Sequence, residues 1–544
     1  MADRLGFSYL CKESIILFVQ KNFQMKARKK LGVGLLLMGL MWLGPVGGRA
    51  QQEQALEQVA QEPMAQERLL TRGCRRGTLL PRKALRRSAS YMDKEAIDAD
   101  LYRGDRRQLV VLASYSDRPF QGTESEALAL WNKILNQENL SEAPFVGSVH
   151  DYFYAQSDGQ FRLSFDLQYV EVGEASKYQS TSDDDENSQY LVDDVLDTLL
   201  ERDIDWSLYD WNGDGEVEHL LIIYAGKGMS NGAANSIWAH QWWLSMHQDM
   251  TKETDSYREA RTFLYEGKTY TVDCYCAVNE LGELYHSFGV LCHEYSHCFG
   301  FPDFYSPNNT VLNRWDIMDS GYYTKGGTRP VNYSAHERML MGWLTPTELR
   351  TPVQVVNMPA LSDEPRAYII RNEGHPDEFY MVENRQPKGW DALLPGSGLL
   401  VFHVDFAPQY WFWPESEPNS RGVNHYTIVP ANNQTSPTDA SGWAYPYMGN
   451  DELTNTSAPC ATLFHPNTDG SLLMNKSLTG IAVADGLAAF DFMADATGME
   501  SIVSPQPSAE MPSSGWYTLS GMRLSERPVS KGLYLRKGKK VLVK

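Results

Sequence analysis

The chain has 544 residues, 42% hydrophobic and 12% aromatic, which is enough apolar side chain for more than one core and too much for long disorder. Its formal net charge of -20 repels phosphate backbones, so nucleic acid is excluded as a natural partner.

In chain order, "MKARKK" (25–30) supplies positive charge, and "LGVGLLLMGLMWLGPV" (31–46) follows as an uncharged apolar run. Small residues, Gly48 and Ala50, stand where a signal peptidase cuts. The run is short for a membrane span and suits a signal-peptide core. Residues 1–50 are therefore expected to be an export signal with Met25 as the true start, leaving a mature protein secreted or at the cell surface. A membrane anchor is the alternative. Residues 51–107, rich in Gln, Glu and Arg, read as a propeptide. The spacings of the seven cysteines show no dense disulfide framework. Cys292 and Cys298 cannot pair within one helix, because their sulfurs point to different faces.

At "QLVVLASYS" (108–116) the composition changes to a buried strand. "TESEALALWNKIL" and "SQYLVDDVLDTLLER" have helical periodicity, "QFRLSFDLQYVEVG" alternates as a strand does, and "EHLLIIYAGKG" is an apolar strand ending in glycine. "HSFGVLCHEYSHCFG" is the next helix. Beyond residue 350 the strands "RAYIIRN", "EFYMVENR", "GLLVFHVDF", "HYTIVPA" and "GIAVADGLAAFDF" follow one another between turns. The expected class is α+β: a mixed domain over 108–350 and an all-β accessory domain over 351–496. A Pro/Ser-rich linker (497–515) and a strand-like tail (516–544) close the chain.

"CHEYSHCFGFPDF" (292–304) carries the chemistry. On a helix, His293 and His297 share one face and can turn two ring nitrogens to one metal. Glu294 lies about 100° round the helix, in reach of a water at that metal. Gly300 can end the helix in a left-handed conformation, and Asp303 then approaches from the loop. Two imidazoles and a carboxylate leave one tetrahedral position open, as in catalytic rather than structural zinc sites. Glu337, on a later helix, is the alternative third ligand. Zinc lowers the pKa of a water, Glu294 takes its proton as general base, and a peptide carbonyl is attacked; Glu294 then hands the proton to the leaving amine.

The run His-Glu-x-x-His-x-x-Gly-x-x-Asp with "RWDIMDSGYY" (314–323) downstream resembles a metzincin-type zinc peptidase. "WDIMDSG", "YDWNGDGEVEHLLIIYAGKG", "IWAHQWW", "MLMGWL" and "ENRQPKGWDALLPGSGLLVFHVD" are similar to the immune inhibitor A-like family of secreted bacterial metallopeptidases, over residues 108 to about 430. The resemblance implies a mixed sheet with an active-site helix, protein or peptide substrates, and Met318 as a floor beneath the histidines. Phe301 departs from the family's usual leucine. Tyr322 and Tyr323 do not match the spacing of an oxyanion-stabilising tyrosine.

"DWNGDGEVE" (210–218) places Asp210, Asn212 and Asp214 around Gly215 as in a calcium loop, with Glu216 and Glu218 as further donors. Leu221 stands where a bidentate glutamate is expected, so the loop is incomplete and a structural role fits best. His240 is read with no role. His403 and Asp405 face one side of a strand and are expected to bond to each other, with another metal or structural pair as the alternative. Cys74, in the propeptide, offers a thiolate for zinc's open position, although no cysteine-switch consensus surrounds it. The tail resembles the sorting domain of the Bacteroidetes type IX secretion pathway, which implies secretion machinery as a partner; a small hairpin is the alternative. The leading function is a secreted zinc endopeptidase. The alternatives are a surface adhesin or glycoprotein-binding protein with a vestigial metal site, and a zinc amidase acting on a non-protein substrate.

Overall fold

The computed structural model describes residues 99–179, 187–233, 236–247, 257–282, 285–307, 309–407, 411, 417–420, 422–494 and 500–503, with short strands in the tail. All of these belong to the compact unit Met64–Lys544; the other unit, Met1–Pro63, lies outside the described residues. The expected export signal, Met25, the propeptide up to residue 98 and Cys74 also lie outside them.

Strand β1 (Gly104–Tyr115) begins ahead of the change in composition at Gln108. Its first residues are mostly exposed and polar, whereas everything from Gln108 onward is buried, so only the buried part looks like a strand in the sequence. Helix α1 (Glu124–Asn136) starts at a capping box in which Glu126 Oε2 accepts from the Thr123 backbone N–H at 2.8 Å and Thr123 Oγ1 accepts from Glu126 N–H. Ser148 and Asp151 cap α2 (Val149–Gln156) in the same way. Then come β2 (Phe161–Val172), α3 (Ser188–Leu200), β3 (Glu216–Val217), β4 (Leu220–Lys227), β5 (His240–Trp243), the hairpin β6 (Arg261–Tyr265) and β7 (Lys268–Val272), and β8 (Cys274–Leu281). The first sheet has the order β2-β1-β4-β8-β5, with parallel pairing except at the β5 edge. Helical crossovers suit parallel strands; the inner β4 and β8 are buried nearly throughout, whereas β2, at the edge, alternates between buried and exposed side chains.

Helix α4 (Phe288–Cys298) follows β8, and all its residues are buried. Gly289 allows the turn Gly321–Tyr323 to lie directly against it, since a methyl there would collide with the Tyr322 carbonyl. Helix α5 (Ala335–Leu340) leads into β9 (Thr347–Glu348).

From β10 (Val353–Met358) to β16 (Leu487–Phe492) the described regular elements are strands and short 3-10 turns. Strands β11 (Tyr368–Arg371), β12 (Glu378–Arg385), β13 (Gly398–Asp405) and β14 (Tyr426–Ile428) form a sheet ordered β14-β13-β12-β11-β9. Alternation divides its side chains between two cores. Phe379, Met381, Leu400, Phe402 and Val404 join the large core that also holds the first sheet, while Tyr380, Val382, Leu399 and Val401 pack with Val355, Phe490 and Phe492 beneath β10, β15 (Leu478–Ala484) and β16. In the stretch expected to be a linker, β17 (Glu500–Val503) pairs in parallel with β10. The tail strands pair as an antiparallel sheet that includes a hairpin, Gly532–Arg536 with Lys539–Val543.

Candidate metal centre

Helix pitch sets His293 and His297 one turn apart on α4, their rings 5.0 Å apart and nearly perpendicular. A main-chain carbonyl orients each ring. His293 Nδ1 bonds Ile317 O at 2.8 Å, and His297 Nδ1 bonds Phe301 O at 2.6 Å. A carbonyl can only accept, so the proton is assigned to Nδ1 and the lone pair to Nε2. Gly300, at φ +100°, donates to His297 O at 2.9 Å and reverses the chain after the helix.

That reversal delivers Asp303, which is 2% exposed. Its Oδ1 lies 3.2 Å from His293 Nε2 and 3.4 Å from His297 Nε2, off the hydrogen-bonding direction, and accepts no hydrogen bond. Oδ2 accepts from the Tyr305 hydroxyl at 2.8 Å. Burial pushes the Asp303 carboxyl up, but His297 and His293 outweigh it and hold the group below the usual carboxylate range. Three lone-pair-bearing atoms so close together need a cation or protons between them.

Glu294 belongs to the same cluster, with Oε2 4.0 Å from His297 Nε2. It is farther than Asp303, and its side chain is partly open to solvent. Glu337 is not part of this group. It closes the capping box of α5, where Oε2 accepts from the Ser334 N–H at 2.6 Å, and burial raises its carboxyl to about 7. The turn after Trp315 lies under α4: Ile317 holds His293, and buried Met318 accepts at its carbonyl from Phe304 N–H at 2.8 Å.

Three neighbours were given no role in the sequence reading. The Tyr322 ring lies tilted 4.3 Å from that of His293, and the Tyr323 ring lies 3.9 Å from that of Tyr322. The signal was Gly289, four residues before His293, which admits the turn that carries them. Glu417, on the segment before β14, has its carboxyl pushed up to about 8 by burial and then by the charge of Asp303; nothing local in the sequence marks it.

In the acidic loop, Asp214 Oδ1 accepts from Glu216 N–H at 2.7 Å, Asn212 Oδ1 from Asp214 N–H at 3.0 Å, and Asp210 Oδ2 from Gly215 N–H at 3.0 Å. Glu218 Oε2 accepts from Trp211 N–H at 2.7 Å, and burial raises its carboxyl to about 8. Lys268, from the β6–β7 hairpin, brings an ammonium 2.5 Å from Asp210 Oδ2 and 3.0 Å from Gly213 O. A protein cation therefore sits among oxygens read as calcium donors.

Among the other histidines, His240 is tied at both nitrogens, to Trp238 O and the Tyr275 hydroxyl. The expected His403–Asp405 bond is not formed. His403 pairs with Glu378 across the sheet at 2.7 Å, while Asp405 takes His425 and His465. Partners on neighbouring strands and loops lie closer than the next same-face residue of β13. The cysteines 274, 276, 292, 298 and 460 are free thiols.

These donors lie inside a segment with known likenesses. Residues 130–343 match the catalytic domain of the immune inhibitor A peptidase M6 family. Immune inhibitor A of Bacillus thuringiensis subsp. alesti is 26% identical over 283 residues, 44% of this chain and 40% of that protein. The pre-pro-metalloprotease PrtV of Vibrio cholerae serotype O1 (strain M66-2) is 25% identical over 265 residues, 41% of this chain and 28% of that protein. The chain thus spans less than half the length of these relatives. The matched region contains β4, β8, α4 and α5, and the likeness supports a metalloendopeptidase domain.

Proposed function

We propose that the protein is an exported zinc-dependent endopeptidase in which His293, His297 and Asp303 hold the metal and Glu294 is the general base. The observation that carries this reading is the 3.2 and 3.4 Å spacing of Asp303 Oδ1 from the two Nε2 atoms. Zinc bound tetrahedrally at about 2.0–2.2 Å puts its ligands about 3.3–3.6 Å apart, so the donors fit the ion. The peptidase M6 match supports the same class. Zinc there would supply the Lewis acidity that polarises a carbonyl and acidifies water. The chain's own work is to keep both Nε2 atoms deprotonated through the carbonyls of Ile317 and Phe301, and to hold Asp303 ionised. It also keeps Glu294 at the solvent-facing edge, where its carboxylate takes a proton from water and returns it to the leaving amine.

Residues 108–350 form the catalytic domain in this reading, with 351–496 as its accessory. The segments before residue 108 are removed on export, and 516–544 address the protein to secretion machinery. Calcium at Asp210, Asn212 and Asp214, with Glu216 and Glu218 behind them, has a structural role and binds by displacing the Lys268 ammonium.

Glu294→Gln tests the mechanism. Zinc content should stay at the wild-type level while casein hydrolysis falls by about 10²–10⁴-fold, the scale of a general base. Undiminished turnover in that variant would sink the assignment.

A further inference from the structure

At the outer end of the β-rich sheet, three segments bring together a second pair of imidazoles and an aspartate. His375 lies on the turn after β11, Asp405 ends β13, and His465 comes from the loop before β15. One donor atom from each lies within 4.8 Å of the other two. Asp405 is buried, with Oδ1 3.1 Å from His465 Nε2 and Oδ2 2.7 Å from His425 Nδ1. The His375 and His465 rings stack at 3.9 Å, and His375 Nδ1 is buried with no hydrogen-bond partner.

The backing of this cluster is rigid. Glu378, fully buried on β12, accepts from Phe464 N–H at 2.6 Å, His465 N–H at 3.0 Å and Asn372 Nδ2 at 3.0 Å, and pairs with His403 Nε2. One carboxylate therefore pins both the loop that carries His465 and the turn that leads to His375. Outer contacts of this kind orient metal ligands. Stacked rings and an orphaned buried nitrogen gain little from each other, whereas both gain from a shared cation.

We infer that His375, Asp405 and His465 bind a second transition-metal ion, zinc or another divalent cation that prefers imidazole, with His425 orienting the aspartate. Two imidazoles and one carboxylate are a zinc-type donor set. Binding requires the His375 ring to turn out of the stack about its terminal torsion, a soft motion. His465 has 40% of its side chain exposed, so the ion enters from solvent without unfolding. The carboxylate behind the cluster, Glu378, is saturated by donors, so the site serves to hold the accessory sheet's loops.

The test is metal stoichiometry of the full chain after zinc loading and desalting, measured by plasma mass spectrometry. H375A/H465A should hold about one zinc fewer per chain than the wild type and keep its casein hydrolysis. The single variant His465→Ala, at a half-exposed position, should weaken the second zinc at least about tenfold against a chromophoric chelator. Equal zinc counts in wild type and H375A/H465A, with both chains folded by circular dichroism, would overturn the inference. H293A/H297A separates the two sites: its zinc loss reports on the proposed catalytic centre alone, so either assignment can fail without the other.

Discussion

The parallel-sheet half and the β-rich half each hold two histidines and an aspartate, but they assemble them differently. On α4 and its loop, His293, His297 and Asp303 are near neighbours in sequence, and both rings are locked by backbone carbonyls. At the sheet end, His375, Asp405 and His465 come from distant segments, and two of the rings stack on each other. The helix site also has a carboxylate, Glu294, beside its imidazoles at the solvent edge. Its counterpart, Glu378, is buried under four partners. On the proposed reading both clusters hold a metal, and only the helix site, with a further carboxylate placed to move a proton, is catalytic.

Substitutions that strike one half and spare the other test that contrast. The largest effect is expected from His297→Ala, which should bring casein hydrolysis down to background, at least about 10⁴-fold, by removing a metal ligand. Zinc at the sheet cluster should remain, and loss of both ions would erase the distinction.

Next comes the joint between the halves. Arg385, fully buried on β12, bonds Glu383 at 3.0 Å and Asp391 at 2.8 Å, and reaches the carbonyls of Trp315 and Asn332. Arg385→Met strands two buried carboxylates and should cost about 3–5 kcal/mol in urea unfolding. Because the large core runs through both halves, wild-type unfolding should be one transition.

A smaller, pH-dependent effect belongs to His336 on α5. It is enclosed by the rings of Phe379, Phe406, Trp411 and Tyr426, with neither nitrogen hydrogen-bonded, and burial lowers its pKa to about 3. The folded chain therefore binds fewer protons than the unfolded one. This stability is complete above about 6.5 and is lost as pH falls towards 3. At pH 4.5 the loss should be about 2–3 kcal/mol. His336→Leu should remove that part of the acid sensitivity, and unchanged acid unfolding would assign it elsewhere.

The smallest effect concerns the oxygen loop, which has no imidazole. Calcium at ten times its dissociation constant should stabilise the chain by about 1.4 kcal/mol, read as a rise in melting temperature that EGTA reverses. Lys268→Met should weaken the oxygen cluster without calcium and enlarge that rise.

Much of this was legible in the letters. Three of the longer helices, α1, α3 and α4, and many strands announced themselves by period; α2, with its Ser148 cap, was not read. Strand β1 was read short because its first residues are exposed and polar, and β17 was missed because ladder pairing makes little demand on side chains. At the helix site, His293, Glu294 and His297 were visible as a spacing. Asp303 and Glu337 stayed rivals because both are carboxylates within reach of a plausible chain path. Tyr322 was set aside on its spacing and Glu417 was not read, since each reaches the centre by packing.

By itself, the sequence determined that two imidazoles and a glutamate sit together at one turn of a helix, because a pitch of 3.6 residues converts spacing into direction without help from the rest of the chain. Tertiary structure alone decided which carboxylate faces those imidazoles, where Arg385 joins the halves, and that His375, Asp405 and His465 meet. The first depends on how the chain reverses at Gly300 and packs against α4; the other two run between segments far apart in the chain and are set by how sheets register and cores close.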